Sequence, residues 1–420
     1  MLYQLHEMQR ALLTPFAQLA DATAQLFSNP YSPLAYTPLS RRIAAGYELL
    51  YRLGKDYEKP AWGLTTTSAD GVNATVRERI LMSKPFCNLI HFERTFDRPA
   101  DADDASQQDP TVLVVAPLSG HHATLLRDTV RALLPRHDVY VTDWVDARMV
   151  PLSAGPFHLD DYVDYIRDFI RLLGPDVHVI SVCQPTVPVL AAVSLMAADN
   201  DPKLPRTMVM MGGPIDPRKS PTQVNNLATT KPYSWFENQL IHRVPPRFPG
   251  AGRQVYPGFL QHAGFVSMNP DRHLKSHYDF YLDLVRGDDE DAEAHRRFYD
   301  EYNAVLDMPA EYYLDTIRIV FQEFRLPRGT WKVRGKPVKP ALIKNVALFT
   351  IEGELDDISG SGQTRAAQEL CSGIPAAHKQ HFTAPNCGHY GIFSGRRWRD
   401  IICPKIAEFI RAHEHATETA

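Results

Sequence analysis

The sequence predicts an α/β fold, a mostly parallel sheet flanked by helices, interrupted by an inserted, mainly helical cap. Three observations predict it. Between residues 111 and 214, short β-branched or apolar runs alternate with amphipathic stretches across short links, as strands joined by helical crossovers do. That rhythm stops over residues 231–335, which hold 18 of the chain's 42 aromatic residues. It resumes at VALFTIEGELDD (346–357) and continues through QTRAAQELCSGI (363–374), HKQHFTAP (378–385) and a last helix at 396–414. Two independent domains would leave the last two strands without a sheet, so one core with an insertion explains the layout.

Residues 1–105 form a helical lead-in, broken by the proline-punctuated SNPYSPLAYTPLS (28–40). DRPADADDASQQDP (97–110) is polar and acidic and reads as an exposed loop or linker. The first part of the core spans 106–230. TVLVV (111–115) is a buried strand, 122–134 a helix, DVYVTDW (138–144) a second strand. HLDDYVDYIRDFIRLLG (158–174) is an amphipathic helix with Asp160 as its cap and Gly174 just past its end. VHVISVC (177–183) is a third strand, VPVLAAVSLMAA (187–198) a helix and RTMVMMGGP (206–214) a fourth strand. The cap occupies 231–335 and the second part of the core 336–420.

The chain has 420 residues, 44% of them hydrophobic and 22% charged, with a net charge of -4 and no long basic run. Nucleic acid is therefore not an expected partner. The N-terminus reads as neither a secretory signal nor a membrane span, and no stretch of roughly 18 apolar residues occurs, so a cytoplasmic protein is expected. Five widely spaced cysteines without a C-x-x-C pair argue against a disulfide framework or structural zinc. No metal or organic cofactor is expected, and a homo-oligomer is left open.

A parallel sheet presents its ligands at the C-terminal ends of its strands. Cys183 follows strand 177–183, Asp356 and Asp357 follow strand 346–352, and His389 follows strand 378–383. The order nucleophile, acid, base is that of the α/β-hydrolase fold. The chemistry needs these types. A thiol is activated when an imidazole takes its proton, and the imidazole needs an acceptor on its second nitrogen. Asp356 is favoured over Asp357 by the G-x-x-D-x-I spacing of GELDDI. A strand–turn–helix elbow aims the N–H of Gln184 at a developing oxyanion, and a second donor is expected from Leu118 or Ser119 in APLSGHH. His121 and His122 are candidate substrate contacts. Cys387 reads as structural; Cys87, Cys371 and Cys403 read as core. The elbow has Ser181 and Pro185 where glycines usually stand, and no serine in the chain has glycine at both −2 and +2.

The lead-in, the elbow SVCQPT, EGELDDISGSGQT and APNCGHYGIFSGRRW together resemble the intracellular poly(3-hydroxybutyrate) depolymerases, over nearly the whole chain. The resemblance implies an α/β-hydrolase core, a cysteine nucleophile at Cys183, an acid at Asp356 and a base at His389. It implies hydrolysis of stored amorphous polyester to 3-hydroxybutyrate and oligomers, at the surface of cytoplasmic polyester granules. The aromatic-rich insert, with Trp235 and Phe236 in WFENQL (235–240) as substrate contacts, and with YPGFL (256–260) and HYDFYLDLV (277–285), would then hold a chain segment above Cys183 or dock on the granule. The alternative is acyl transfer, as in the related polyester synthases, whose elbow cysteine is flanked by glycines. Hydrolysis and transfer to CoA or an alcohol share one triad.

Overall fold

A computed structural model describes residues 2–97, 109–268 and 270–414. Most of the linker expected at 97–110 thus lies outside the described residues. Two helices, α1 (Leu2–Ser28) and α2 (Ser40–Gly54), pack against each other and open the chain. The helical lead-in expected to residue 105 ends there. Residues 66–96 instead form three antiparallel strands, β1 (Thr66–Ala69), β2 (Val72–Lys84) and β3 (Cys87–Phe96). The reason is local. Asp70 and Gly71 both take positive φ, 50° and 79°, the conformation of a two-residue hairpin turn. The flanks, TTTSA and VNATVRERI, are β-branched and alternate.

The core strands are β4 (Thr111–Val115), β5 (Asp138–Trp144), β6 (Val177–Val182), β7 (Thr207–Met211), β8 (Ala347–Gly353) and β9 (Lys379–Ala384). With the first three they form one nine-stranded sheet, ordered β1-β2-β3-β5-β4-β6-β7-β8-β9. From β5 to β9 every pairing is parallel, and β3 joins β5 antiparallel. Every residue of β6, β7 and β8 is buried, which is why these strands read as mostly apolar runs, with only a few buried polar residues such as His178 and Glu352, rather than as alternating ones. Helices α3 (Arg127–Leu133), α4 (Leu159–Leu173) and α5 (Thr186–Ala198) connect them.

The first turn of α4 is closed by Asp161, which accepts from the His158 N–H at 2.7 Å. Asp160, the expected cap, instead accepts from the backbone N–H of Arg334 at 2.8 Å. α5 accommodates Pro188 without a break. The proline lies in the first turn, where the backbone N–H groups have no helical partner to lose.

Between β7 and β8 the chain builds α6 (Gln223–Thr230), α7 (Tyr233–Leu240), α8 (Gly258–Met268), α9 (Pro270–Arg286), α10 (Asp289–Asn303) and α11 (Ala310–Thr316). The last runs on into a π-helical turn, Ile317–Gln322. This segment roofs the C-terminal ends of the core strands. After β8 come α12 (Ala366–Leu370), β9 and α13 (Cys403–Arg411). No described helix is long and apolar enough to cross a membrane.

Candidate active site

At the end of β6 the chain must reverse into α5 within three residues. Cys183 stands at that turn with φ 66°, a left-handed conformation costly for a side chain with a Cβ. Its N–H donates to the Met211 carbonyl at 2.7 Å, and its own carbonyl accepts from Thr186 N–H at 3.1 Å. The turn is therefore held from both sides, and the Cys183 side chain points into a cavity above the strand ends. The positive end of α5 lies directly behind it.

A tight elbow needs close approach of strand and helix, which small flanking residues normally supply. Here the flank is Pro185, and the space comes from the next strand. A Cβ on Gly213 would lie 1.9 Å from Thr186 Oγ1 and 2.4 Å from the Cys183 carbonyl oxygen. A Cβ on Gly212, whose φ is 54°, would lie 2.5 Å from Ile392 Cδ1 and 3.3 Å from both Asp356 Oδ2 and His389 Cε1. The Gly212–Gly213 pair at the end of β7 thus clears room for the elbow and for the acid–base pair together.

Asp356 follows β8. Its Oδ1 accepts from the backbone N–H groups of Ile358 (2.9 Å) and Ser359 (2.8 Å). Its Oδ2 accepts from His389 Nδ1–H at 2.7 Å. The carboxylate is locked by the first pair of bonds and orients the imidazole with the third. His389 is buried and hydrogen-bonds Cys183 with the rest of its ring. Burial alone would lower its pKa. The Asp356 charge, Cys183 and the hydrogen bonds to both outweigh burial and hold it well above the usual imidazole range. Asp357 does not join this chain; it lines a neighbouring cavity.

The cavity above Cys183 has a volume of about 520 Å³. Leu118, Ser119 and Gln184 line it beside Cys183 and His389. Among the described residues, no acceptor takes the backbone N–H of Gln184 or Leu118. The rest of the wall is mostly apolar and comes from the roof, including Leu227, Phe236, Tyr256, Phe265, Met308 and Phe321. A second cavity of about 350 Å³ meets the first at His389 and Tyr390 and is more polar, with Arg272, His273 and Asp357 in its wall.

Of the four residues expected to contact substrate, the structure brings two to the main cavity. Phe236 is one. His121 is the other, held by a hydrogen bond from Nε2 to the Tyr302 carbonyl (3.1 Å) and stacked on Phe265 at 4.8 Å. Burial lowers its pKa to about 4, so it is neutral near pH 7. His122 and Trp235 are not among the lining residues. His122 is buried behind the wall, its pKa lowered to about 3 by burial and nearby cations. Trp235 packs edge-on against Phe236 at 5.1 Å. The segment 277–285 also stays away from the cavity; Phe280 stacks on His295 of α10. Cys387 is buried, its thiol directed at the Gly388 carbonyl.

Two features of the site escape a reading of the sequence. Tyr312 is buried against the elbow, donating from its hydroxyl to Gln184 Oε1 and stacking on Tyr162 at 5.4 Å. It lies 129 residues beyond Cys183 in a segment without strand or helix periodicity, and nothing local marks it. The Gly212–Gly213 pair did carry a signal. Two glycines directly after a buried strand indicate close backbone approach.

The strand order, the strained elbow at the end of β6 and the acid and base after the last two strands define an α/β-hydrolase. Residues 212–414, which contain Asp356 and His389 but not Cys183, match the family described as PHB de-polymerase C-terminus. The C-terminal half of the chain thus matches the PHB depolymerase family, and the chain is a carboxylic ester hydrolase. No curated protein matches it. Solved structures similar to it include a hydrolase from Pseudomonas aeruginosa PA01 (13% identity, 80% of this chain and 98% of that one, TM-score 0.45). Others are a monoacylglycerol lipase from Paleococcus ferrophilus (14%, 73% and 96%, 0.42) and a thermophilic esterase from Thermogutta terrifontis (12%, 84% and 98%, 0.40).

Proposed function

We propose that the chain hydrolyses the ester bonds of stored, amorphous poly(3-hydroxybutyrate), releasing 3-hydroxybutyrate and oligomers, with Cys183, His389 and Asp356 as its triad. The observation that carries this reading is the buried chain of hydrogen bonds from Asp356 through His389 to the elbow cysteine, on the floor of an apolar cavity. His389 takes the Cys183 thiol proton, and the thiolate attacks an ester carbonyl carbon. The oxyanion rests on the N–H of Gln184 and on a donor at Leu118 or Ser119. His389 gives its proton to the leaving alcohol, and a thioester remains on Cys183. Water, entering by the more polar second cavity, loses a proton to His389 and attacks the thioester; the acid leaves and the thiol is restored. The roof's apolar wall suits a polymer of methyl-bearing esters, and the enzyme works on granules in the cytoplasm.

The test is release of 3-hydroxybutyrate and its oligomers from amorphous granules without CoA, by the parent and by Cys183→Ala. Release by the parent and a loss of at least about 10³-fold in the variant supports the reading. Release that requires added CoA moves the enzyme to acyl transfer. Equal release by both removes Cys183 from the chemistry.

A further inference from the structure

Among the described residues, 27 large apolar side chains are exposed, and 15 of them fall between Leu2 and Leu53. The concentration is not random scatter, which single exposed apolar residues would be. On α1, Leu5, Met8, Leu12, Phe16, Leu19 and Leu26 recur at spacings of three, four and seven, so they share one face. The opposite face carries the small residues Ala17, Ala20 and Ala24 and is buried. The helix has 27 residues, so the stripe is roughly 40 Å long. Tyr31 and Tyr36, 95% and 76% exposed, continue it around the turn that follows.

Charge decides what this face fits. The exposed surface of a solvated helix normally carries Lys, Arg, Glu or Asp. Besides the buried Tyr3, α1 has four ionisable side chains, His6, Glu7, Arg10 and Asp21, and none is exposed. Glu7 is buried against Arg10 and Arg247, Arg10 also pairs with Asp56, and Asp21 accepts from Gln25. The polar groups left on the surface are neutral, chiefly the amides of Gln4, Gln9, Gln18 and Gln25. A helix that lies on anionic lipid carries cations on its polar flank; this one does not. A stripe of aliphatic and aromatic carbon edged with neutral amide donors matches an uncharged surface dense in ester carbonyls.

The face is also tied to the site. Tyr3 donates from its hydroxyl to Asp307 Oδ2 at 2.6 Å and packs edge-on against Phe259 at 5.5 Å. His6 stacks on the same ring at 4.0 Å. Phe259 belongs to α8, whose Gln261, Gly264, Phe265 and Met268 form part of the cavity wall. A surface that α1 meets is thus one helix away from the cavity.

We infer that the uncharged apolar face of α1 and the turn after it dock the enzyme on the ester-rich surface of its insoluble polymer. The inference rests on the proposed polyester substrate and names the surface that meets it. A second copy of the chain is the competing occupant. A partner helix would cover a strip only about 10 Å wide, whereas the exposed residues also include Leu34, Tyr47, Leu50 and Leu53 beyond α1.

The test uses the full chain with Leu12→Glu, Phe16→Glu and Leu19→Glu combined, at positions 71%, 68% and 65% exposed. Binding to protein-free amorphous poly(3-hydroxybutyrate) granules is measured by co-sedimentation in a Cys183→Ala background, so that granules are not consumed. Hydrolysis of soluble 4-nitrophenyl butyrate is measured with Cys183 present. The expected result is a tenfold or greater loss of granule binding with soluble activity within twofold of the parent. Unchanged granule binding overturns the inference. So does a dimeric parent that the triple variant makes monomeric while granule binding persists, or a parent that binds neutral phosphatidylcholine vesicles as well as it binds granules. If the parent binds granules through this face but releases no acid, the surface stands and the catalytic reading falls. If parent and variant degrade granules at the same rate, the catalytic reading stands and the surface falls.

Discussion

The floor and the roof of the cavity are built by opposite means. On the floor, α5 has 13 residues and buries eleven of them, Thr186 to Met196. In the roof, α9 has 17 residues and buries Phe280 alone. A helix enclosed on all sides cannot shift without opening cavities, so the elbow it carries is fixed. A helix that touches its neighbours along one stripe can move, and its outer side chains are free to change. Chemistry that depends on tenths of an ångström therefore belongs on the floor, and adaptation to the shape of a substrate belongs in the roof. Changes in the floor should cost rate or stability steeply, and changes in the roof should cost little.

Asp356→Asn should give the largest effect of this set. The amide oxygen can still accept from Ile358 and Ser359, so the fold survives. The imidazole, however, loses the charge that holds its proton and its tautomer. We expect kcat to fall by about 10³- to 10⁴-fold, measured on 4-nitrophenyl butyrate. Asp357→Asn, whose side chain lines the second cavity, should stay within about tenfold of the parent. A reversal of the two would make Asp357 the orienting acid.

The two kinds of packing can be compared directly at glycines. In the floor, Gly213→Ala puts a Cβ 1.9 Å from Thr186 Oγ1 and 2.4 Å from a backbone oxygen, and should destabilise the protein by about 3 kcal/mol. In the roof, Gly264→Ala meets nothing within 4 Å. In the interior of α8 it should add about 0.5–1 kcal/mol of stability. Urea unfolding of the two variants checks both signs. Equal losses would mean that the roof is as tightly packed as the floor.

Tyr312→Phe probes the one roof hydroxyl that reaches the elbow. Removing it leaves the Gln184 amide oxygen without its donor, and loosens the residue whose N–H faces the cavity. We expect kcat to fall by about tenfold with KM within about twofold. A change in KM alone would mean that Tyr312 binds substrate rather than positioning Gln184.

How much of this could be read from the chain follows the same division. The core strands were legible because burial on both faces writes itself as mostly apolar runs such as VLVV (112–115) and TMVMM (207–211). The residues that stand together as Cys183, Asp356 and His389 were reached because a parallel sheet puts strand ends in one place. β1 to β3 were lost in a helical reading. β2 is mostly exposed along its length and charged at RER, so its period was masked, although the Asp-Gly turn was there to be seen. Tyr312 could not be found, since its partner lies far away in the chain. His122 and Trp235 each neighbour a residue that lines the cavity, His121 and Phe236, and packing turns both away from it; which of two adjacent side chains faces the cavity depends on tertiary packing.

Two buried imidazoles at the boundary of floor and roof give the smallest but most diagnostic contrast. His389 sits beside a carboxylate and its pKa is raised. His121 sits among Phe265 and Tyr302 without a carboxylate among its hydrogen-bond or ring partners, and burial lowers its pKa to about 4. The signs differ. A lowered folded pKa means that the unfolded chain binds the proton more tightly. His121 therefore contributes its full stability above about pH 6.5 and loses it as the pH falls toward 4. A raised folded pKa gives the reverse. The contribution of His389 is complete below about pH 6.5 and disappears as the pH rises through its raised value. His121→Gln should accordingly reduce the acid-side slope of unfolding free energy between pH 6 and 4.5 by up to about 1.4 kcal/mol per pH unit. His389→Gln should show its greatest loss relative to the parent at pH 6 and a smaller one at pH 9. Slopes of the same sign in both variants would mean that Asp356 does not raise the affinity of His389 for a proton. That imidazole would then lack the driving force to take the Cys183 thiol proton.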